Sequence, residues 1–225
     1  MGRRTAFVHP IAMITIGLLL SAVSAAAVPP VHLSYADGFD TVCAQQTHYA
    51  INPAWVAELR DRLPELRREW QTQGQRLLRT TEQIVGKKFT ERAFQVSLSV
   101  CSFPSMAEPL LINARFSLKS FVAAALPTDV TVGIIFHELL HHYLRGRIPE
   151  RSQLLAERAG EDDTVRSHLH LLALQKAVYL RLHLRETLER VMAKDRALPN
   201  KSYGRAWDIV EDGQRESALI DELRR

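Results

Sequence analysis

Apolar residues recur at intervals of three and four across residues 53–81, where Trp55, Val56, Leu59, Leu63, Leu66, Trp70, Leu77 and Leu78 mark one side of a helix. Asn52 stands where an N-cap belongs and Pro53 at the first helical position. Pro64 and Gly74 are the positions where this helix bends or splits, and Gly86 closes it. The period then changes to two. Phe94, Val96, Leu98 and Val100 alternate with Gln95, Ser97 and Ser99, which predicts a strand. A second strand, alternating less cleanly, is expected over 110–118, after a loop whose prolines are Pro104 and Pro109. Two strands rarely stand alone, so a third is expected near 31–42 or 120–125. Around Asp37-Gly38 the chain is extended or turning.

Beyond Pro127 the pattern is helical throughout. Thr128 caps a helix running to about Arg145, with Asp129 suited to its dipole and Gly146 ending it. Apolar spacing continues across 152–193, too long for one uninterrupted helix, so a break is expected near Gly160 or Arg181. The tail carries Tyr203, Trp207, Ile209 and Val210. These elements predict an α+β fold, a small β-sheet packed on the helix after Pro127, with a mainly helical C-terminal half.

Composition narrows the class. With 225 residues the chain has room for one domain or at most two small ones, and 46% apolar against 24% charged residues exclude a disordered protein. Lys and Arg number 29 against 25 Asp and Glu, a net +4 that falls short of a nucleic-acid binder. Arg3 and Arg4 precede an apolar run over 11–23, followed by Ser24, Ala25, Ala26 and Ala27, the order of a secretory signal peptide. Residues 1–27 are therefore read as that signal, cleaved after Ala27, with an uncleaved membrane anchor as the alternative, for which the apolar run is short. Residues 28–225 are read as a single exported domain, periplasmic or secreted, with no membrane partner after cleavage. An oxidising compartment permits a disulfide between Cys43 and Cys101, the two cysteines of the chain.

The chemistry is concentrated in His137-Glu138-Leu139-Leu140-His141. Two histidines four apart on a helix project from one face, so both imidazoles can reach one metal ion. Glu138, about 100° round the helix from His137, flanks that ion and is placed to take a proton from a water the metal has acidified. Such a carboxylate beside two imidazoles, behind Val130, Val132, Ile134, Ile135 and Phe136, is costly unless it is used.

At these residues the chain resembles the zincin metallopeptidases. The metzincin branch is excluded, because Leu144 and Arg147 stand where it would have Gly and a His or Asp. The resemblance to the gluzincin branch, which includes thermolysin-like enzymes, implies a third ligand from the following helix: a glutamate, with zinc as the cofactor and a peptide or protein as the substrate. Glu157, Glu161, Thr164, His168 and Gln175, spaced 4, 3, 4 and 7 along the predicted helix, fall on one narrow stripe of it. Glu161, 20 residues beyond His141, matches the thermolysin-like spacing best; Glu157 and His168 are alternatives, His168 being suited also to oxyanion stabilisation. The resemblance further implies an edge strand that holds substrate backbone, for which 110–118, with Asn113 and Arg115, is the candidate. Tyr203 is read as an aromatic anchor or an oxyanion donor. The expected activity is zinc-dependent peptide hydrolysis with Glu138 as general base. Hydrolysis of another amide, such as a cell-wall component, and an exported scaffold with a structural metal are the alternatives.

Overall fold

A computed structural model describes Gly2 and residues 28–212 and 215–225. The segment 1–27, read above as a signal peptide, lies outside the described residues apart from Gly2. The fold is α+β, with a small sheet and a mainly helical C-terminal half. Three parallel strands, β1 (Val31–Tyr35), β2 (Phe94–Ser99) and β3 (Leu111–Asn113), lie in the order β1-β2-β3. Val31 pairs with Phe94 and Leu33 with Val96 across the first ladder, and Leu98 with Ile112 across the second. The alternation in β2 holds over its first part: Phe94, Val96 and Leu98 are buried, Gln95 is exposed and Ser97 half-buried, but Ser99 is buried too, its hydroxyl bonded to Asp40. Parallel neighbours require crossovers. The first runs through α1 (Asp37–Thr47), α2 (Pro53–Glu69) and α3 (Gln75–Val85), the second through the loop 100–110.

Local chemistry explains most boundaries. Asn52 Oδ1 accepts from the Ala54 amide (2.9 Å) with Pro53 at the start of α2, and Gly86 ends α3 at φ +79°, a conformation that suits glycine. Pro64 lies inside α2 without ending it. The interruption falls instead at Trp70–Gly74, a single π-helical turn in which a side chain at Gly74 would run into the Trp70 ring. β1 answers the need for a third strand. The second predicted strand is much shorter than 110–118: after β3 the chain turns through a 3₁₀ helix at Arg115–Ser117. The segment around Asp37-Gly38 is helical, not extended. The disulfide between Cys43 and Cys101 ties α1 to the end of β2.

At the centre runs α4 (Thr128–Leu144), apolar on every side and buried almost throughout. Thr128 does not cap it. Pro127 is the N-cap, and Thr128 Oγ1 donates to Glu65 of α2 (2.6 Å). Phe94 of β2 sets its ring against His142 of α4, 5.5 Å between centroids. The remaining chain forms α5 (Gln153–Ala156), α6 (Asp163–Arg181), α7 (Arg185–Arg196), α8 (Ser202–Glu211) and α9 (Arg215–Arg224). The expected break is therefore double, with a turn over 157–162 and another over 182–184. Ser152 caps α5 through Leu155, and Asp162 caps α6 through its 2.8 Å acceptance from Val165. Helices α6 and α7 pack directly on α4, and α8 packs on both of them.

Candidate metal centre

The break before α6 decides the site. A continuous helix would have carried Glu157 and Glu161 onto the face that holds His168; with the helix starting at Asp163, both glutamates leave that face. Glu161 turns outward to Arg205, whose Nε and Nη2 lie 3.0 and 2.5 Å from its Oε1. Glu157 is exposed and faces Arg215 at 3.7 Å. The expectation that Glu161 joins the two histidines is corrected accordingly, because its backbone belongs to a turn and its charge is met by an arginine at the surface.

His168 takes that place. The candidate ligand atoms of His137, His141 and His168 all lie within 4.8 Å of one another, so this buried group can hold a metal ion. The ring centroids are 5.1 Å apart for His137 and His141, 5.3 Å for His137 and His168, and 5.0 Å for His141 and His168. His137 and His168 are buried, whereas His141 keeps partial access to solvent.

The hydrogen bonds fit a cation. Gln175 Oε1 lies 3.2 Å from His137 Nδ1, and the Thr164 carbonyl 2.6 Å from His168 Nδ1. Both oxygens only accept, so each Nδ1 carries the proton and each Nε2 presents a lone pair. Those two Nε2 atoms are buried and have no hydrogen-bond partner. A buried lone pair without a donor is unfavourable unless a ligand meets it. Burial, reinforced by the neighbouring imidazoles, holds His137 well below its ordinary pKa and brings His141 down to about 4. Burial lowers His168 as well. Neutral imidazoles are the form that binds metals.

Glu138 is 7% exposed, and burial pushes its pKa up to about 7. Lys194 of α7 opposes that shift and Asp195 adds to it. Asp195 is itself buried, bonded by Lys194 Nζ at 3.0 Å and Trp207 Nε1 at 2.9 Å. Tyr203 of α8 lies over His168 with ring centroids 4.6 Å apart, and 5.9 Å from His137. Burial, with Glu138 and Asp195 nearby, raises its pKa to about 12, so it is a proton donor at neutral pH. The site thus draws on α4, α6, α7 and α8. Lys194 and Asp195 left no signal in the sequence, since nothing in their local pattern distinguishes them from surface charge.

Other candidates have structural work. Asn113 Nδ2 donates to the Phe103 carbonyl (2.7 Å), and Arg115 reaches the Tyr49 hydroxyl (2.6 Å). The outer edge of β3 is not free at Leu111, which exchanges two 2.9 Å backbone bonds with Met106. His142 Nε2 donates to the Ala107 carbonyl (2.8 Å), and Arg145 pairs with Glu108, so the same loop is fastened to the end of α4. His170, fully buried, donates to Glu222 of α9 (2.8 Å).

Comparison with protein-family models found no match, and neither did comparisons with curated proteins and with solved structures. The functional reading therefore rests on the residues themselves. No helix among the described residues is long and apolar enough to cross a membrane.

Proposed function

We propose that this chain is an exported zinc-dependent hydrolase of peptide bonds, a zincin-type enzyme whose ligands are His137, His141 and His168. One observation supports it above the others: three imidazoles converge, two of them with buried, unpartnered Nε2 atoms and tethered Nδ1 atoms. Three neutral nitrogen donors suit zinc and leave a fourth position for solvent. A histidine as third ligand departs from the glutamate implied by the gluzincin resemblance. Export is supported by the Cys43–Cys101 disulfide together with the order of residues at the N-terminus.

A zinc ion in such a site supplies a Lewis acid for the scissile carbonyl and brings the acidity of a water toward neutrality. Glu138 accepts the proton of the attacking water and returns it to the leaving nitrogen. Tyr203, protonated and beside His168, donates to the oxygen on which negative charge develops. Gln175 and Thr164 hold two of the imidazoles in orientation throughout.

The Met106–Leu111 pairing favours a second reading of the substrate. Because the chain itself fills the edge of β3 there, a peptide would not add to that strand, and a cell-wall amide held by other contacts becomes the alternative. Metal analysis of purified protein, followed by parallel digests of a peptide library and of cell-wall material, tests both. Zinc at one equivalent with peptide cleavage supports the first reading, and cleavage confined to cell-wall material the second. Protein without metal, inert to both, would reject the enzymatic reading.

A further inference from the structure

Gln175 is completely buried in α6, seven residues and two helical turns beyond His168, and so on the same face. Its Oε1 meets His137 Nδ1 at 3.2 Å, while its own Nε2 is buried with no hydrogen-bond partner. An amide placed in an apolar core with one end unsatisfied is destabilising, and the satisfied end is the one on His137. A free neutral imidazole can carry its proton on either nitrogen. A proton on Nε2 would remove the lone pair that points toward His141 and His168. The amide oxygen selects the other tautomer, and it does so without adding charge, as a carboxylate in that place would.

We infer that Gln175 is the positioning residue of the proposed metal centre, acting through His137 to keep its Nε2 lone pair aimed at the site shared with His141 and His168. The inference rests on reading these three histidines as metal ligands. It assigns a function to a buried glutamine that packing alone would fill better with leucine or methionine. It also predicts a specific order of affinities. A carboxylate in place of the amide keeps the acceptor and makes the imidazole a stronger donor to a cation, whereas an apolar side chain leaves the tautomer unselected.

The test uses the full exported chain, stripped of metal and titrated with zinc alone against a chromophoric chelator. It compares the unaltered protein with Gln175→Leu, Gln175→Glu and His168→Ala. Nitrogen-15 spectra of the imidazoles in the metal-free proteins report which nitrogen of His137 is protonated. The expected result is an Nδ1–H tautomer in the unaltered protein, lost in Gln175→Leu, with zinc bound about 10–100-fold more weakly in that variant. Gln175→Glu should bind zinc at least as tightly as the unaltered protein. Gln175→Leu with unchanged zinc affinity and unchanged tautomer would overturn the inference while leaving the metal site standing. Should Gln175→Leu not fold, an Nε2–H tautomer in the unaltered protein, or weaker zinc binding by Gln175→Glu, overturns it equally. If the unaltered protein takes up no zinc although His137 is Nδ1-protonated, the metal reading itself fails, and the inference with it.

Discussion

Arg205 of α8 grips Glu161 through two nitrogens, with Nε 3.0 Å and Nη2 2.5 Å from Oε1. The arginine holds the Glu161 carboxyl below its ordinary pKa by that hydrogen bonding, and the pair sits at the surface, away from the histidines. Replacing Glu161 with alanine is therefore expected to leave metal content unchanged and thermal stability close to that of the parent, since exposed pairs contribute little. His168→Ala is expected to lose the metal. Elemental analysis of the two purified variants separates the cases, and metal lost from Glu161→Ala alone would reverse the assignment.

Glu138→Gln removes the proton acceptor while keeping size and shape. The proposed mechanism expects one equivalent of zinc to remain and hydrolysis to fall by about 10²–10⁴-fold. Turnover of a cleavable substrate, measured beside zinc stoichiometry, checks both halves. Undiminished turnover would remove Glu138 from the chemistry.

Tyr203→Phe keeps the ring against His168 and deletes the hydroxyl. A drop of about 10²-fold in kcat with little change in KM is expected of a donor that acts on developing charge. If the ring serves only as packing, kcat will stay at the parental value.

Gly133 lies one helical turn before His137, and a Cβ there would come within 2.8 Å of Val191 Cγ2 and 3.0 Å of the Tyr179 hydroxyl. Glycine thus lets α4 approach both α6 and α7, which bring His168 and the Lys194–Asp195 pair to the site. Gly133→Ala should destabilise the fold by about 1–3 kcal/mol and weaken metal binding as α4 is pushed away. Chemical denaturation and a zinc titration would show whether the two effects travel together.

Asp129, in the first turn of α4, accepts from Thr187 (2.8 Å) and from Arg190 of α7. Burial raises its pKa, but these bonds outweigh that effect and hold it below the ordinary value of 3.8. A carboxylate with a lowered folded-state pKa stabilises the protein fully above its unfolded value, and the stabilisation fades as pH falls through the folded one. Asp129→Asn is expected to cost about 1–2 kcal/mol at pH 7, a modest amount because Arg190 remains 44% exposed. The difference from the parent should shrink below pH 4. Denaturation midpoints at pH 7, 5 and 3 provide the check.

Local pattern by itself determined the α+β class, the helix with its Asn52 cap, the strand at Phe94–Ser99, and the paired histidines of α4 with Glu138 beside them. Those features depend on periods of 3.6 and 2 and on spacings within a turn, which a sequence displays directly. The stripe of polar residues on the next helix was legible too, and His168, Thr164 and Gln175 do lie at the site. Tertiary structure decided the third member. The chain is out of helix from Glu157 to Asp162, so Glu161 is set by a turn and by an arginine 44 residues away, relations that no local period encodes. The same holds for Tyr203, whose ring lies against His168, and for Lys194 and Asp195, whose charges act on Glu138, all placed there only because α7 and α8 fold back on α4 and α6. Burial completed the difference: it keeps the imidazoles neutral and carries Glu138 toward pH 7, and burial is a property of the packed molecule.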